Sequence, residues 1–243
     1  MNRELEYYCI SHVGMVRSIN QDNYICNGIY NKHPIIANYS YLHGVCTPSN
    51  VLFGVFDGMG GEEYGEIASR IAAECAQRFS ICNPLEDLND LCLLTNEKIC
   101  RYVASNGLSS MGTTAAYVYF CDSQMYICNI GDTAIYRFHN GILEKISMDH
   151  IQYVKGFSKP LLSQNLGIIP SDFLIQPYCG VQENVQENDI YIICSDGLTD
   201  MLSEHDIVKE INTVAFCVLA KNLLAKALDY GGLDNITVLI CKT

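Results

Sequence analysis

The chain has 243 residues, 49% of them hydrophobic, and 27 acidic against 15 basic side chains give it a formal charge of −12. That balance argues against a nucleic-acid binder, which carries a basic face, although bound divalent cations can reverse the local field for an anionic substrate. No run of about 18 uncharged apolar residues is present to span a membrane.

The first residues, MNRELEYYCISHVG, lack the apolar core of a signal peptide, so residence in the cytoplasm is expected. Leu5 to His12 and Asn23 to Tyr30 read as the first two strands, joined through VGMVRSINQD. Asn31 to Asn50 is polar and aromatic, carries Pro34, Gly44 and Pro48, and reads as a loop insertion. Val51 to Phe56 is a short apolar run that predicts a strand buried on both faces. It stops at Asp57, followed by Gly58, Met59, Gly60 and Gly61. A carboxylate at the mouth of an apolar strand is costly to bury without a cation or several donors, and the glycines let the backbone turn tightly around whatever it holds.

The spacing of Tyr64, Ile67, Ala68, Ile71, Ala72, Cys75 and Phe79 predicts an amphipathic helix. A second helix begins near Pro84, a residue suited to a first helical turn, and ends before Gly107. Four strands follow at Ala115–Cys121, Gln124–Ile130, Ala134–His139 and Leu143–Ile146, the last two joined by the hairpin signal Asn140-Gly141. Further strands are expected at Phe173–Cys179 and Asp189–Cys194. A helix over Ser203–Ile211 has Ser203 and Asp206 at capping-box spacing. A helix over Val214–Leu228 precedes a closing strand at Ile236–Cys241. Strands, two helices, a strand meander, then helices and a last strand do not alternate as βαβ units do, so the class is α+β, with sheets layered under helices. Without repeat, linker or low-complexity tract, one domain over residues 1–243 is expected. The 13 cysteines are odd in number, scattered and without a CxxC pair, which fits a reducing compartment and no zinc site.

Four further acids repeat the pattern of Asp57. Asp132 follows the strand ICNI and a glycine, Asp196 ends the apolar strand IYIIC, Asp234 stands before the final strand, and Asp22 precedes the second. Singly each suits a turn or a cap. Together they suit a hard cation such as Mg²⁺ or Mn²⁺, which takes oxygen ligands. Several Asp around one point suggest two ions that lower the pKa of a shared water. Arg17, five residues before Asp22, offers a guanidinium fork for phosphate oxygens.

Seven segments, GMVRSINQD, VFDGMGG, MGTTAA, IGDTAIYR, MDH, CSDGLTD and DNITVLI, occur in this order along nearly the whole chain. In this the sequence resembles the metal-dependent serine/threonine protein phosphatases of type 2C, particularly the bacterial members. The resemblance implies a four-layer α-β-β-α sandwich, with two central antiparallel sheets flanked by helix pairs. It implies that Asp57, Asp196 and Asp234 hold a first metal, and that Asp57 and the Gly58 carbonyl hold a second. Asp22 would help hold the second metal's water shell, Asp132 with Asp196 a third and weaker ion, and Arg17 the phosphate. Two or three Mn²⁺ or Mg²⁺ ions are therefore expected, with attack on phosphorus by a hydroxide bridging two of them. The partners implied are phosphorylated proteins made by a serine/threonine kinase, with no nucleic acid and no membrane, and a monomer is expected. Two other readings stay open, a metal-dependent hydrolase of small phosphoesters and a non-catalytic relative that binds phosphoproteins.

The chain also departs from the family pattern. Gln21 stands where many members have Glu, and Ala134 where an Arg is usual. The segment Ile151–Asn165 is shorter than the flap of bacterial members. Its helix-compatible piece Ile151–Lys155 is followed by Gly156, Ser158 and Pro160, which break regular structure. An open cleft with weak discrimination among phosphopeptides is the expectation.

Overall fold

The computed structural model describes residues 4–33, 39–59, 64–121, 123–157 and 159–243. Pro34, Gly60, Gly61 and Ser158, singled out above, lie outside the described residues. In chain order the elements are β1 (Leu5–His12), β2 (Asn23–Cys26), β3 (Tyr39–Cys46), β4 (Val51–Phe56), β5 (Gly58–Met59), α1 (Gly65–Arg78) and α2 (Pro84–Asn106). There follow β6 (Gly112–Thr113), β7 (Ala115–Cys121), β8 (Gln124–Ile130), β9 (Ala134–His139), β10 (Ile142–Lys145), β11 (Ile151–Gln152), β12 (Leu161–Leu162) and β13 (Tyr178–Gln182). The last are β14 (Ile190–Cys194), α3 (Asp196–Thr199), α4 (Glu204–Thr213), α5 (Phe216–Asp229) and β15 (Ile236–Lys242).

Two antiparallel sheets carry the fold. One has six strands in the order β10-β9-β14-β15-β1-β3, the other five in the order β13-β8-β7-β4-β2. Their facing surfaces share a core that includes Leu5, Cys9, Phe53, Val55, Val118, Ile127, Tyr191, Ile193 and Leu239. The strands read as apolar throughout because their other faces are covered as well. Phe56, Ala115, Tyr117 and Ile130 pack outward against Ala68, Ala72, Leu88 and Leu91 of α1 and α2. Ile192, Cys194, Val238 and Ile240 pack outward against Ile207, Leu219 and Leu223 of α4 and α5. This is the four-layer sandwich that the family resemblance implied.

The helix ends follow the expected chemistry. Pro84 opens α2, and Gly107 closes it in the left-handed region at φ 65°. Ser203 accepts from the Asp206 amide while the Asp206 carboxylate accepts from the Ser203 amide, completing the capping box of α4.

Four segments differ from expectation. Asn31–Asn50 is more than a loop, because it contains β3, paired antiparallel along the whole of β1. Being an edge strand, β3 buries little beyond Leu42 and Cys46 on the inner face, so no apolar run advertises it. Strand β2 ends at Cys26 rather than Tyr30, where Asn27 and Gly28 turn the chain at φ 46° and 81°. The strand expected at Phe173–Cys179 begins only at Tyr178, after Pro177, which has no N–H to give a ladder. Ile151–Lys155 forms no helix, since Ile151 and Gln152 pair with Leu162 and Leu161 in a two-stranded ribbon.

Candidate active site

Register brings the five acids to one rim. In the five-stranded sheet Asn23 of β2 lies opposite Phe56 of β4, Val55 opposite Ala116 of β7, and Ala115 opposite Ile130 of β8. Asp22, Asp57 and Asp132 therefore leave that sheet along the same edge. In the six-stranded sheet Cys194 of β14 lies opposite both Val238 of β15 and Ala134 of β9. Asp196 and Asp234 leave it at the matching edge, and Asp132 to Ala134 crosses from one sheet to the other. The acids meet because antiparallel pairing places the end of one strand beside the start of the next.

Between these edges lies a cleft of about 550 Å³, lined by Arg17, Gln21, Asp57, Gly58, Thr114, Asp132, Asp196 and Asp234, with Ser18, Ile19 and Met59 beside them. Asp22 does not line this cleft; it is buried and borders a separate cavity with Asn20, Glu66 and Arg70. Its Oδ2 accepts from Ser195 Oγ at 2.8 Å and from Thr237 Oγ1 at 2.7 Å, while Oδ1 is buried without a partner among the described residues. The Asp57 backbone is held on both sides. Its N–H donates to Thr114 Oγ1 at 3.0 Å, and its carbonyl accepts from the Thr114 amide and from Thr113 Oγ1, both at 2.9 Å.

Two close approaches need glycine. A Cβ on Gly58 would lie 2.2 Å from the Gly65 carbonyl oxygen and 2.4 Å from that of Gln21, so no side chain fits where β5 crosses the start of α1. Gly14, at φ 82°, brings the Arg17 loop so near the Asp234 turn that a Cβ would sit 2.1 Å from the Asp234 carbonyl oxygen. Across that junction an Arg17 amino group donates to Asp234 Oδ2 at 2.7 Å.

The electrostatics follow from crowding. Burial first, then the charge of Asp22, Asp196 and Asp132, pushes Asp57 well above the usual carboxylate range. Burial raises Asp22 to about 7 against the help of its two hydroxyl donors. Burial and Asp196 raise Asp132 to about 6, and burial, Asp200 and Asp234 raise Asp196. Acids that oppose one another's ionisation this way are stabilised by a cation placed among them. All-oxygen donors and the unpartnered Oδ1 of Asp22 fit a hard divalent ion with part of its water shell kept. Among the described residues no three acidic, His or Cys side chains already form a closed ligand set. Asp234 is turned to Arg17, and Asp22 to its hydroxyls.

The short flap still reaches the cleft. Pro160, Leu161 and Leu162 of the β11–β12 ribbon stand on its wall, and Lys159 is ion-paired with Asp200 at the end of α3. The expected openness is therefore reduced by an apolar wall on that side.

Sequence reasoning did not single out Ser195, Thr237, Thr113, Thr114 or Asn235. All lie within the quoted segments, and a hydroxyl or amide beside a buried acid is the signal that marks them. Asn235 is the most engaged. Its Oδ1 accepts from the Gln21 amide at 2.8 Å, and its Nδ2 donates to the carbonyls of Val13 and Ile19 at 2.8 and 2.9 Å.

Residues 41–229 match the family model described as Protein phosphatase 2C. The chain belongs to the protein phosphatase 2C family. Among the family's curated proteins, the serine/threonine phosphatase stp of Listeria monocytogenes is 30% identical over 217 residues, covering 77% of this chain and 82% of that one. The longer serine/threonine protein phosphatase PstP of Mycobacterium tuberculosis is 27% identical over 78% of this chain and 40% of its own length. A crystal structure of the latter phosphatase superposes with a TM-score of 0.79 at 25% identity, over 99% of both chains. Another, of its catalytic domain with two manganese ions, gives 0.78 at 24% identity. The four-layer sandwich is thus the fold of the protein phosphatase 2C family, and the cleft lies where its two sheets meet.

Proposed function

We infer that this chain is a metal-dependent phosphoprotein phosphatase that hydrolyses phosphoserine and phosphothreonine. The observation that carries the reading is the convergence of Asp57, Asp132, Asp196 and Asp234 with Arg17 on one cleft of a family member's fold, with Asp22 buried near enough to act on Asp57. The relatives named as serine/threonine phosphatases support the substrate class.

Asp57, Asp196 and Asp234 would hold one divalent ion, Asp57 and the Gly58 carbonyl a second, and Asp132 with Asp196 a third, weaker one. Asp22 would act through the water shell of the second. Bound there, Mn²⁺ or Mg²⁺ supplies an acidified water and positive charge for the phosphoryl oxygens. The chain's own contribution is placement. Thr113 and Thr114 fix the Asp57 backbone, Ser195 and Thr237 orient Asp22, and Asn235 holds the loop that presents Arg17. The guanidinium then meets the equatorial oxygens, where charge stabilisation dominates phosphoryl transfer. No cysteine lines the cleft among the described residues, which agrees with direct transfer to water rather than to a thiol.

No helix among the described residues is long and apolar enough to cross a membrane. In our reading residues 1–243 form one domain that works in the cytoplasm as a monomer, on the substrates of a serine/threonine kinase. Phosphate release from a phosphothreonine peptide, with and without Mn²⁺ and against a nucleoside triphosphate control, tests the function. Release that needs Mn²⁺ and favours the peptide is expected. Faster release from the nucleotide, or none from the peptide, would overturn the reading.

A further inference from the structure

Large apolar side chains are exposed on the two loops that give Arg17, Ile19 and Asp234 to the cleft. Met15 is 67% exposed, Val16 65%, Ile19 52% and Leu233 55%. The first three bracket Arg17 in the sequence, and Leu233 precedes Asp234, the partner of Arg17 at 2.7 Å. The two loops are also joined through their backbones. The Met15 amide donates to the Gly232 carbonyl at 2.8 Å, and the Met15 side chain lies so close over Gly232 that a Cβ there would be 3.1 Å from its Cγ. Isolated exposed hydrophobes need no explanation, but four of them on two joined loops beside a reactive centre mark a contact surface.

These side chains are held outward. Asn235 fastens the loop at Val13, Ile19 and Gln21, and the Met15 amide ties it to Gly232. The opposite bank is apolar too, with Pro160, Leu161 and Leu162. The nearby Lys159 is engaged by Asp200. Among the described residues Arg17 is committed to the phosphoryl group and Lys159 is held by Asp200, so a charged residue next to a phosphorylated side chain gains little there, while an apolar one would lose water against the rim.

We propose that Met15, Val16, Ile19 and Leu233 receive the residues flanking the phosphorylated serine or threonine, and direct this phosphatase to phosphosites set in apolar sequence. The occupant is a phosphopeptide segment because the rim is continuous with the cleft that takes the phosphoryl group. The proposal rests on the phosphatase reading above.

The test compares phosphothreonine peptides of equal length whose two neighbours on each side are Leu and Val, Lys, Glu or Gly. It uses wild type, the double variant Met15→Ser/Leu233→Ser and the conservative variant Met15→Leu. Turnover of p-nitrophenyl phosphate and sedimentation are followed alongside. Wild type should favour the Leu/Val peptide by about tenfold in kcat/KM, carried mainly by KM, as a small apolar contact surface allows. The double variant should lose that preference while hydrolysing p-nitrophenyl phosphate at the wild-type rate, and Met15→Leu should keep it. Equal efficiency on all four peptides would overturn the role of the rim alone. So would a preference that survives the double substitution, or a wild-type dimer that the double variant separates, which would assign the patch to a second copy. Absence of hydrolysis of every peptide and of p-nitrophenyl phosphate would overturn the phosphatase reading, and the role of the rim with it.

Discussion

Asn235→Ala is the substitution with the clearest expected cost. Asn235 is 5% exposed, and its side chain makes three hydrogen bonds to the backbone of the loop carrying Arg17, at Gln21, Val13 and Ile19. Alanine removes all three and leaves the Gln21 amide and two carbonyls short of partners on a part-buried surface. At about 1 kcal/mol net for each bond, the loss is about 3 kcal/mol. For a chain of this size each kcal/mol moves the unfolding midpoint by about 2–4 °C, so Tm should fall by about 6–12 °C. Because the same loop presents Arg17, KM for a phosphothreonine peptide should rise more than kcat falls. Asn235→Asp keeps the acceptor for Gln21 but loses both donors and sets a second carboxylate beside Asp234, so it should be at least as damaging. Urea unfolding and steady-state kinetics on the same preparations read both effects. A loss below about 1 kcal/mol with an unchanged KM would show that the loop is held by other contacts, and the reasoning would fail.

Asp57→Asn should abolish turnover while the unfolding curve stays cooperative, since the Asp57 backbone rather than its carboxylate is bound by Thr113 and Thr114. Activity within about tenfold of wild type, or about 1.4 kcal/mol in barrier, would remove Asp57 from the centre of the chemistry. Asp132→Ala should retain tight Mn²⁺ binding by calorimetry and lose much of its phosphopeptide activity; loss of all Mn²⁺ binding would place Asp132 in the primary site. At the far end of the six-stranded sheet, burial alone would raise Asp189. The Gln186 amide, His139 and Arg137 outweigh it and hold its carboxylate below the ordinary value. A depressed acid contributes stability above its unfolded pKa of about 4 and loses it as pH falls through the folded value. The stability gap between wild type and Asp189→Asn should therefore shrink as urea unfolding is repeated from about pH 6 down to about pH 3; a gap that stays constant would count against the charge argument.

Most of this protein could be read along the chain because most of its strands are buried on both faces. Continuous apolar runs such as Val51–Phe56 and Ile190–Cys194 marked their own limits, and the acid after each run marked the rim. Local chemistry likewise announced Pro84, Gly107 and the Ser203–Asp206 box as helix ends. The sequence was silent where pairing rather than burial makes the element. Strand β3 exists because β1 offers it a free edge, and β11 because β12 folds back beside it, and neither needs an apolar pattern. A similar division runs through the candidate site. Residue type and order were enough to nominate the five acids and Arg17, since a charge at a strand end is visible in one dimension. Their meeting at one rim was decided by the antiparallel register of two different sheets, which no single segment encodes. So was the pairing of Arg17 with Asp234 across 217 positions, and the burial of Asp22 between hydroxyls from β15 and the turn before α3. Hydrogen bonds and charge repulsion act over a few ångströms of space, and only the folded chain sets which residues are that close.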